Sequence, residues 1–292
     1  MKIILSPNPY RDKQMAVVRE AEKVLKECGV KTVVCLPFPM GDNFKYPKEF
    51  EWRDIHKEAA GTDMLICFGG DGTILHLARY ARTHNIPILG VNTGSLGYMA
   101  ELEPGEVKLL RRIVKGNYRL EPHMMLDFKV HRGKRVVLED TALNEAVIKT
   151  SSVGQEIHFR VFADGVELFT CSGDGVIIGT PTGSTAYNVS AGGPIVEPTA
   201  HNLLLTPICP HSTRAGSYVL SPEHTLLVET ADANRKFVYL SVDGGKAFSL
   251  KNGDVVRTRQ SKFVTKLVRL SKKSFCEILD SKMGMEALKH EK

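Results

Sequence analysis

The chain opens with a short apolar run, Lys2 to Leu5, that stops at Pro7 and Pro9. From Asp12 to Cys28 the apolar residues fall at Met15, Val18, Ala21, Val24, Leu25 and Cys28. That is the three-and-four spacing of one helix face, and Gly29 ends it. Val30 to Leu36 is a valine-rich strand. A short helix closes over Ile55 to Ala60, Asp63 to Phe68 is a buried strand, and Thr73 to Thr83 is helical again. Ile86 to Val91 adds a strand, and Pro104 to Lys115 a helix with proline near its start and Gly116 past its end. Alternation of this kind predicts a parallel sheet with helices on its faces.

From about His123 the period changes. Leu126 to His131, Ile157 to Phe162, Leu226 to Thr230, Phe237 to Val242 and Phe263 to Leu270 read as short strands. Turn pairs separate them, at Asp164-Gly165, Asp243-Gly244 and Asn252-Gly253. Helical spacing is nearly absent between Glu121 and Ser271. The expected organisation is an α/β domain over residues 1–122, a β-rich domain over 123–270, and a segment over 271–292 that returns to the first. A closing helix is expected at Ser274 to Met283, and 292 residues are enough for two full cores.

Composition removes several classes of function. With 42% hydrophobic and 25% charged residues the chain is an ordinary folded one. The net charge of +6 is spread over short, separated basic groups, which does not suit a nucleic-acid partner. Six cysteines without a C-x-x-C pair, mostly in apolar runs, read as reduced thiols of a cytoplasmic protein. The histidines offer no zinc spacing. No run approaches ~18 apolar residues and the N-terminal one is too short for a signal peptide, so no membrane association is expected.

Glycine is more informative. Eight of the 25 fall between Gly61 and Gly105 and seven between Gly165 and Gly193, so two stretches must turn sharply or be approached closely. The first contains Gly69-Gly70-Asp71-Gly72-Thr73, where a buried strand meets a helix. A helix N-terminus attracts anions, and a carboxylate within it would repel phosphate. Two readings of Asp71 stand: it caps the helix, or it takes a proton from a hydroxyl or holds a metal ion. Neither G-x-G-x-x-G nor the Walker pattern fits this turn.

The second stretch is the run from Gly173-Asp174-Gly175 through Thr180-Pro181-Thr182-Gly183-Ser184-Thr185-Ala186-Tyr187-Asn188-Val189-Ser190 to Pro194. So many donors beside so many glycines suit a pocket for a polar, planar, hydroxyl-bearing ligand, and a β-hairpin with elaborate turns is the other reading. Asn144-Glu145 opens a β run; adjacent strand residues face opposite ways, so both reach one ligand only at a bend. Val242-Asp243-Gly244-Gly245 reads as a hairpin turn. His76, one turn beyond Asp71, faces either the same site or solvent, and Pro210-His211-Ser212 carries no reading alone.

Together these motifs resemble the NAD kinase family, over most of the chain. The match comprises G-G-D-G-T at Gly69 to Thr73, N-E at Asn144-Glu145, and G-D-G…T-P-T-G-S-T-A-Y from Gly173 to Tyr187. It continues in S-A-G-G-P at Ser190 to Pro194 and I-C-P-H-S at Ile208 to Ser212. Diacylglycerol and sphingosine kinases and phosphofructokinases share G-G-D-G and lack the longer block. The resemblance implies a Rossmann-like N-terminal domain, a β-sandwich-like C-terminal domain, and ATP-dependent phosphorylation of the adenosine ribose 2′-hydroxyl of NAD to NADP. It also implies a divalent cation, Mg²⁺, and a homodimer or homotetramer.

By the same resemblance Asp71 accepts the hydroxyl proton and Gly72 lies against the ribose. Asn144 and Glu145 bond the sugar and adenine region, and Asp174 meets the nicotinamide side. Thr185, Ala186, Tyr187, Asn188 and Ser190 line the adenine and ribose pocket, and His76 stands where relatives often carry a basic residue. There are two departures. Ser172 replaces an arginine of some relatives, which bears on acceptance of NADH, and Gly245 replaces a glutamine of others. A lipid or sugar kinase sharing only G-G-D-G, and a non-catalytic dinucleotide-binding regulator, are the competing functions. No metal ligand and no ATP-binding residue is assigned.

Overall fold

The structure is a computed structural model that describes residues 1–281 except 42–43, 95–96, 152–153, 212–214, 232 and 234–236. Ser212 and the end of the expected closing helix therefore lie outside the described residues; residues 275–281 are helical. The chain forms two compact units, Met1–Pro122 with the segment from Thr265 onward, and His123–Val264.

In the first unit, strands β1 (Lys2–Pro7), β2 (Lys31–Cys35), β3 (Trp52–Arg53), β4 (Met64–Gly69) and β5 (Ile88–Asn92) pair in the order β5-β4-β1-β2-β3, all parallel. Pro7 registers with Phe68, and Gly69 with Asn92. The loops after β1, β4 and β5 are thereby gathered along one sheet edge, the carboxyl edge where ligands of open α/β sheets bind. Helix α1 (Ala16–Glu27) buries Val18, Ala21, Val24 and Leu25, four of the positions its spacing marks. α2 (Ile55–Glu58) is a single turn, and α3 (Asp71–His84) buries Thr73, Ile74, Leu77, Ala78 and Ala81. α4 (Arg111–Val114) follows a 3₁₀ stretch at Pro104–Leu110. Sheet and helices share one core that includes Ile3, Leu5, Val18, Phe68, Leu89 and Val268.

Two starts differ from the pattern. Helix α1 begins four residues after Asp12, whose buried carboxylate accepts the N–H groups of Val17 at 3.1 Å and Val18 at 3.0 Å. Asp12 is thus a cap reaching across a 3₁₀ turn at Lys13–Met15. Helix α3 starts at Asp71, with Gly70 as its cap, so Asp71 lies inside the first turn.

The chain enters the second unit within β6 (Arg119–Arg132). Then come β7 (Arg135–Ala142), β8 (Glu145–Thr150), β9 (Ile157–Ala163), β10 (Val166–Gly173) and β11 (Gly175–Gly179). A one-turn helix α5 (Tyr187–Ser190) precedes β12 (Leu203–Ile208), β13 (Tyr218–Leu220), β14 (Leu226–Thr230), β15 (Val238–Val242) and β16 (Phe248–Ser249). β17 (Asp254–Arg269) carries the chain back to the first unit. One sheet runs β13-β12-β11-β8-β15-β16, antiparallel throughout. β10, β9, β14 and β17 form a second antiparallel ladder, which the β6–β7 hairpin joins through β6. Ile148, Val176, Leu205 and Leu240 of the one meet Phe159, Val161, Val228 and Val256 of the other in a single core, a sandwich-like arrangement. Among the described residues no helix is long and apolar enough to cross a membrane.

Replacing Asp12 with alanine strands the N–H groups of Val17 and Val18 at a buried helix start. The expected loss is about 1–2 kcal/mol, read as a lower urea midpoint at unchanged slope.

Candidate functional site

Asp71 stands at the carboxyl edge of the first unit because the chain leaves the buried strand β4 and turns at once into α3. A Cβ on Gly69 would collide with the side chain of Thr73, so this tight a turn demands glycine. Thr73 Oγ1 accepts a hydrogen bond from Asn8 Nδ2 at 3.1 Å, which ties the loop after β1 to the same turn. The Asp71 carboxylate sits at the positive end of the helix and reaches the loop after β5. There Oδ2 accepts the Tyr98 N–H at 2.6 Å and Oδ1 the Met99 N–H at 3.0 Å. Gly97 leaves the room, since a Cβ at that position would overlap Asp71 Oδ1.

The grip is itself held in place. Arg269, 5% exposed, donates from Nη1 to the Met99 carbonyl at 2.9 Å and from Nε to Glu121 at 2.9 Å. Glu101 lies 3.6 Å from the same guanidinium and accepts the N–H groups of Leu270 and Ser271. A buried guanidinium is costly without carboxylates beside it, and here it has two. In front of Asp71 is a cleft of about 350 Å³ lined by Asn8, Arg11, Phe38, Gly72, His76 and Gly94. His76 therefore borders the same cleft as Asp71, its ring edge-on to Phe38 at 5.4 Å.

In the second unit Asn144 sits in a bend before β8 and Glu145 begins the strand, the geometry that lets neighbours face one ligand. The bend is made by Asp243. Its carboxylate accepts three consecutive N–H groups, from Leu143 and Asn144 at 2.8 Å and from Glu145 at 3.1 Å. Its own N–H returns to the Glu145 carbonyl at 2.9 Å. Asp243 does this at φ +48°, a conformation that aspartate tolerates better than most residues. Asn144 and Glu145 are only 6% and 8% exposed, and Asn144 Oδ1 and Glu145 Oε2 are buried with no hydrogen-bond partner. Burial, and then the charge of Asp243, pushes the Glu145 carboxyl up to about 8. At neutral pH it is a protonated acid and can donate.

Several polar groups of the glycine-rich run bond inside the protein. Thr180 Oγ1 donates to the Leu143 carbonyl at 2.6 Å, and Thr182 Oγ1 shares a hydrogen bond with His123 Nδ1 at 2.8 Å. Ser184 Oγ donates to the Val196 carbonyl at 2.9 Å. The Asn188 amide, fully buried, donates to the carbonyls of Ser184 and Pro194 and accepts from Thr206 Oγ1 at 2.7 Å. These groups staple the loop to its own strands. Gly173, Gly175 and Gly183 lie so close to the backbones of Ile208, Ile148 and Asn144 that a Cβ would collide there. Their small size brings chain against chain.

What the run leaves accessible is narrower. Thr185, Ala186 and Tyr187 are half-buried and Ser190 is exposed, with Lys149 Nζ 5.9 Å from the Tyr187 ring centroid. Ser172 is half-buried at the end of β10, and Asp174 is exposed between β10 and β11, where its carbonyl accepts the Thr150 N–H. Asp71, Gly72 and His76 thus share one cleft, and Asn144 and Glu145 share one bend. Sequence reading missed Asp243 and Arg269. The first is hidden in an ordinary-looking turn, whereas the second carries one signal, an arginine inside the apolar Leu267-Val268-Arg269-Leu270 run.

Residues 3–118 match the family model of the ATP-NAD kinase N-terminal domain, and residues 143–270 that of the ATP-NAD kinase C-terminal domain. The chain is 38% identical over 280 residues to an NAD kinase of Symbiobacterium thermophilum, covering 94% of this chain and 96% of that one. It is 32% identical to an NAD kinase of Acetivibrio thermocellus, with 97% of each covered. An NAD kinase from Archaeoglobus fulgidus solved in complex with ATP superposes with a TM-score of 0.71 at 26% identity, over 97% of this chain and 98% of that one. Yeast NADH kinase complexed with NADH shares the fold, with a TM-score of 0.84 at 24% identity over 97% and 87% of the two chains.

The raised Glu145 group makes stability fall with pH. The folded state holds a proton that the unfolded chain releases near 4.5, so the stabilisation is complete below that pH and is lost as pH rises through about 8. Glu145→Gln removes the titration. The melting temperature of the variant is expected to gain on the parent by several degrees between pH 5 and 9, and a constant offset would contradict the assignment.

Proposed function

This chain belongs to the ATP-NAD kinase family, and from that premise we propose that Asp71 is the base of its reaction. The enzyme phosphorylates NAD with ATP as donor. In the proposed step the 2′-oxygen of the adenosine ribose bonds to the terminal phosphorus of ATP as the bond to the ADP oxygen breaks. The hydroxyl proton passes to the Asp71 carboxylate. A ribose hydroxyl is a poor nucleophile until its proton has somewhere to go, and phosphoryl transfer asks the protein mainly for positioning. The observation that carries this reading is the anchoring of the Asp71 carboxylate by Tyr98 and Met99 beside an open cleft. Each oxygen spends one lone pair on an N–H and keeps another for a hydroxyl.

The rest of the substrate assignment is proposed on similar grounds. Asn144 Oδ1 and Glu145 Oε2, buried and without partners, suit hydrogen bonds to the sugar and adenine region. A protonated Glu145 donates and Asn144 accepts, so the pair can read both kinds of atom on a polar edge. Thr185, Ala186, Tyr187 and Ser190 would line the adenine and ribose pocket, with the internally bonded Asn188 shaping its wall. Asp174 and Ser172 would meet the nicotinamide side, and Gly72 and His76 the ribose beside Asp71.

A divalent cation, Mg²⁺, is proposed to arrive with the donor, held by triphosphate oxygens and water as magnesium commonly is. Among the described residues no three His, Cys, Asp or Glu side chains converge as a metal cage, so the fit is to a nucleotide-bound ion. Such an ion supplies charge neutralisation on the phosphates. Homo-oligomeric assembly and a cytoplasmic location rest on the family resemblance. A kinase sharing only G-G-D-G would not account for matches to both family domains.

Two variants test the proton acceptor and its support. Asp71→Asn is expected to cut turnover by several orders of magnitude while circular dichroism keeps the parent shape; the amide can accept only one of the two N–H groups, so the melting temperature falls by about a few degrees. Near-normal turnover would remove Asp71 from the role. Arg269→Lys keeps the charge and loses the fork that reaches Met99 and Glu121 together. Its kcat is expected to fall roughly ten- to a hundredfold with KM for NAD and ATP within about twofold, the pattern of a misplaced base.

A further inference from the structure

We propose that Lys149 is a further substrate-binding residue, whose ammonium pairs with the diphosphate bridge of NAD. The proposal rests on the kinase reading and adds to it a cation for the charged middle of the dinucleotide. Side chains alternate along β8, so Ala146 and Ile148 enter the sandwich core while Glu145, Val147 and Lys149 share the opposite face. Glu145, with its buried and unpartnered Oε2, stands at one end of that row. Lys149 stands at the other, roughly 13 Å along the strand. NAD carries its groups in a matching order: a polar purine edge, a ribose, then two linked phosphates. A purine edge read at Glu145 brings an anion toward Lys149.

The strand pairing leaves this lysine room and keeps its charge in the open. Lys149 registers with Gly175 on β11 and with Tyr239 on β15. A Cβ on Gly175 would come within 2.8 Å of the Lys149 Cβ, so only glycine leaves that side of the lysine bare. The Lys149 Nζ lies 5.9 Å from the centroid of the Tyr187 ring. That is the outer range of a cation–π contact, enough to orient the ammonium without spending its N–H groups. Lys149 is exposed, and among the described residues no hydrogen bond or ion pair engages it. Three donors remain for a group that only accepts, as a phosphate does.

The neighbours of Lys149 identify which anion it meets. On one side is Tyr187, proposed for the adenine and ribose pocket. On the other is Asp174, proposed for the nicotinamide side, whose carbonyl accepts the Thr150 N–H at 3.2 Å next to Lys149. Between the two nucleosides of NAD lies only the diphosphate. The exposed Asp174 carboxylate opposes an anion there, and the Lys149 charge offsets it. ATP and the 2′-phosphate of NADP are also anions, so the experiment must separate three sources of phosphate.

The full-length protein would first be shown to form NADP from ATP and NAD, and failure there would refute the kinase reading itself. Lys149→Met removes the charge and keeps most of the stem, whereas Lys149→Arg keeps a cation. Calorimetry would then give Kd for NAD, NADP and ADP-ribose, each at low and high salt. All three carry the diphosphate, so in Lys149→Met all three are expected to bind roughly three- to fivefold more weakly, by one common factor. The loss is expected to shrink at high salt, and Lys149→Arg to bind close to the parent. KM for NAD is expected to rise with Kd, while KM for ATP stays unchanged and kcat stays within about twofold. A loss confined to NADP would move the contact to the 2′-phosphate, and one that spares ADP-ribose would move it to the nicotinamide end. A raised KM for ATP would assign the lysine to the donor, and an equal, salt-independent loss in both variants would reduce it to packing. Any of these results, or unchanged NAD binding in Lys149→Met, would overturn the proposal.

Discussion

The first unit is organised around a single carboxylate gripped by two backbone N–H groups. Asp71 can be held by Tyr98 and Met99 only because several separate requirements are met together. β4 must end where β5 ends, Gly69 must admit Thr73, and Gly97 must admit the carboxylate. Arg269 must then fix the carbonyl face of the same Met99 peptide. A free aspartate on a surface turn samples several rotamers, and one bonded through both oxygens does not. That difference is what positioning means in physical terms, because a base displaced by an ångström loses most of its advantage.

The second unit solves a related problem with a different device. Asn144 and Glu145 carry polar atoms that are buried and unpartnered, which costs free energy. The fold tolerates this because Asp243 binds three successive N–H groups and leaves the bend no alternative course. The neighbouring loop is locked by its own hydroxyls and by the Asn188 amide, so its accessible face is left to Thr185, Ala186, Tyr187 and Ser190. Rigid support behind unsatisfied atoms is the arrangement expected of a site that must not collapse onto itself.

Much of this was legible in the residues. The helical spacing of α1 and the buried run of β4 were read directly. In the run from Gly173 to Pro194 the composition alone does not separate the hydroxyls bonded inside the protein from those left accessible. Thr180, Thr182 and Ser184 spend their hydroxyls inside the protein, and no count of donors reveals which way they point. Asp243 was hidden because a hairpin turn explains an Asp-Gly pair by itself, and its partners lie about 100 residues earlier. Both passages between the units fall within long strands, β6 and β17, so no change of composition marks them.

Arg269 lies 170 residues beyond the Met99 carbonyl that it holds. During synthesis the glycine turn and strands β1 to β5 emerge long before that arginine leaves the ribosome. The Met99 peptide must wait for it. An incomplete chain ending before Arg269 therefore carries every residue of the G-G-D-G-T turn and lacks the clamp behind it. The Asp71 grip is thus a long-range product of the fold, finished by a residue far along the chain from the turn it supports.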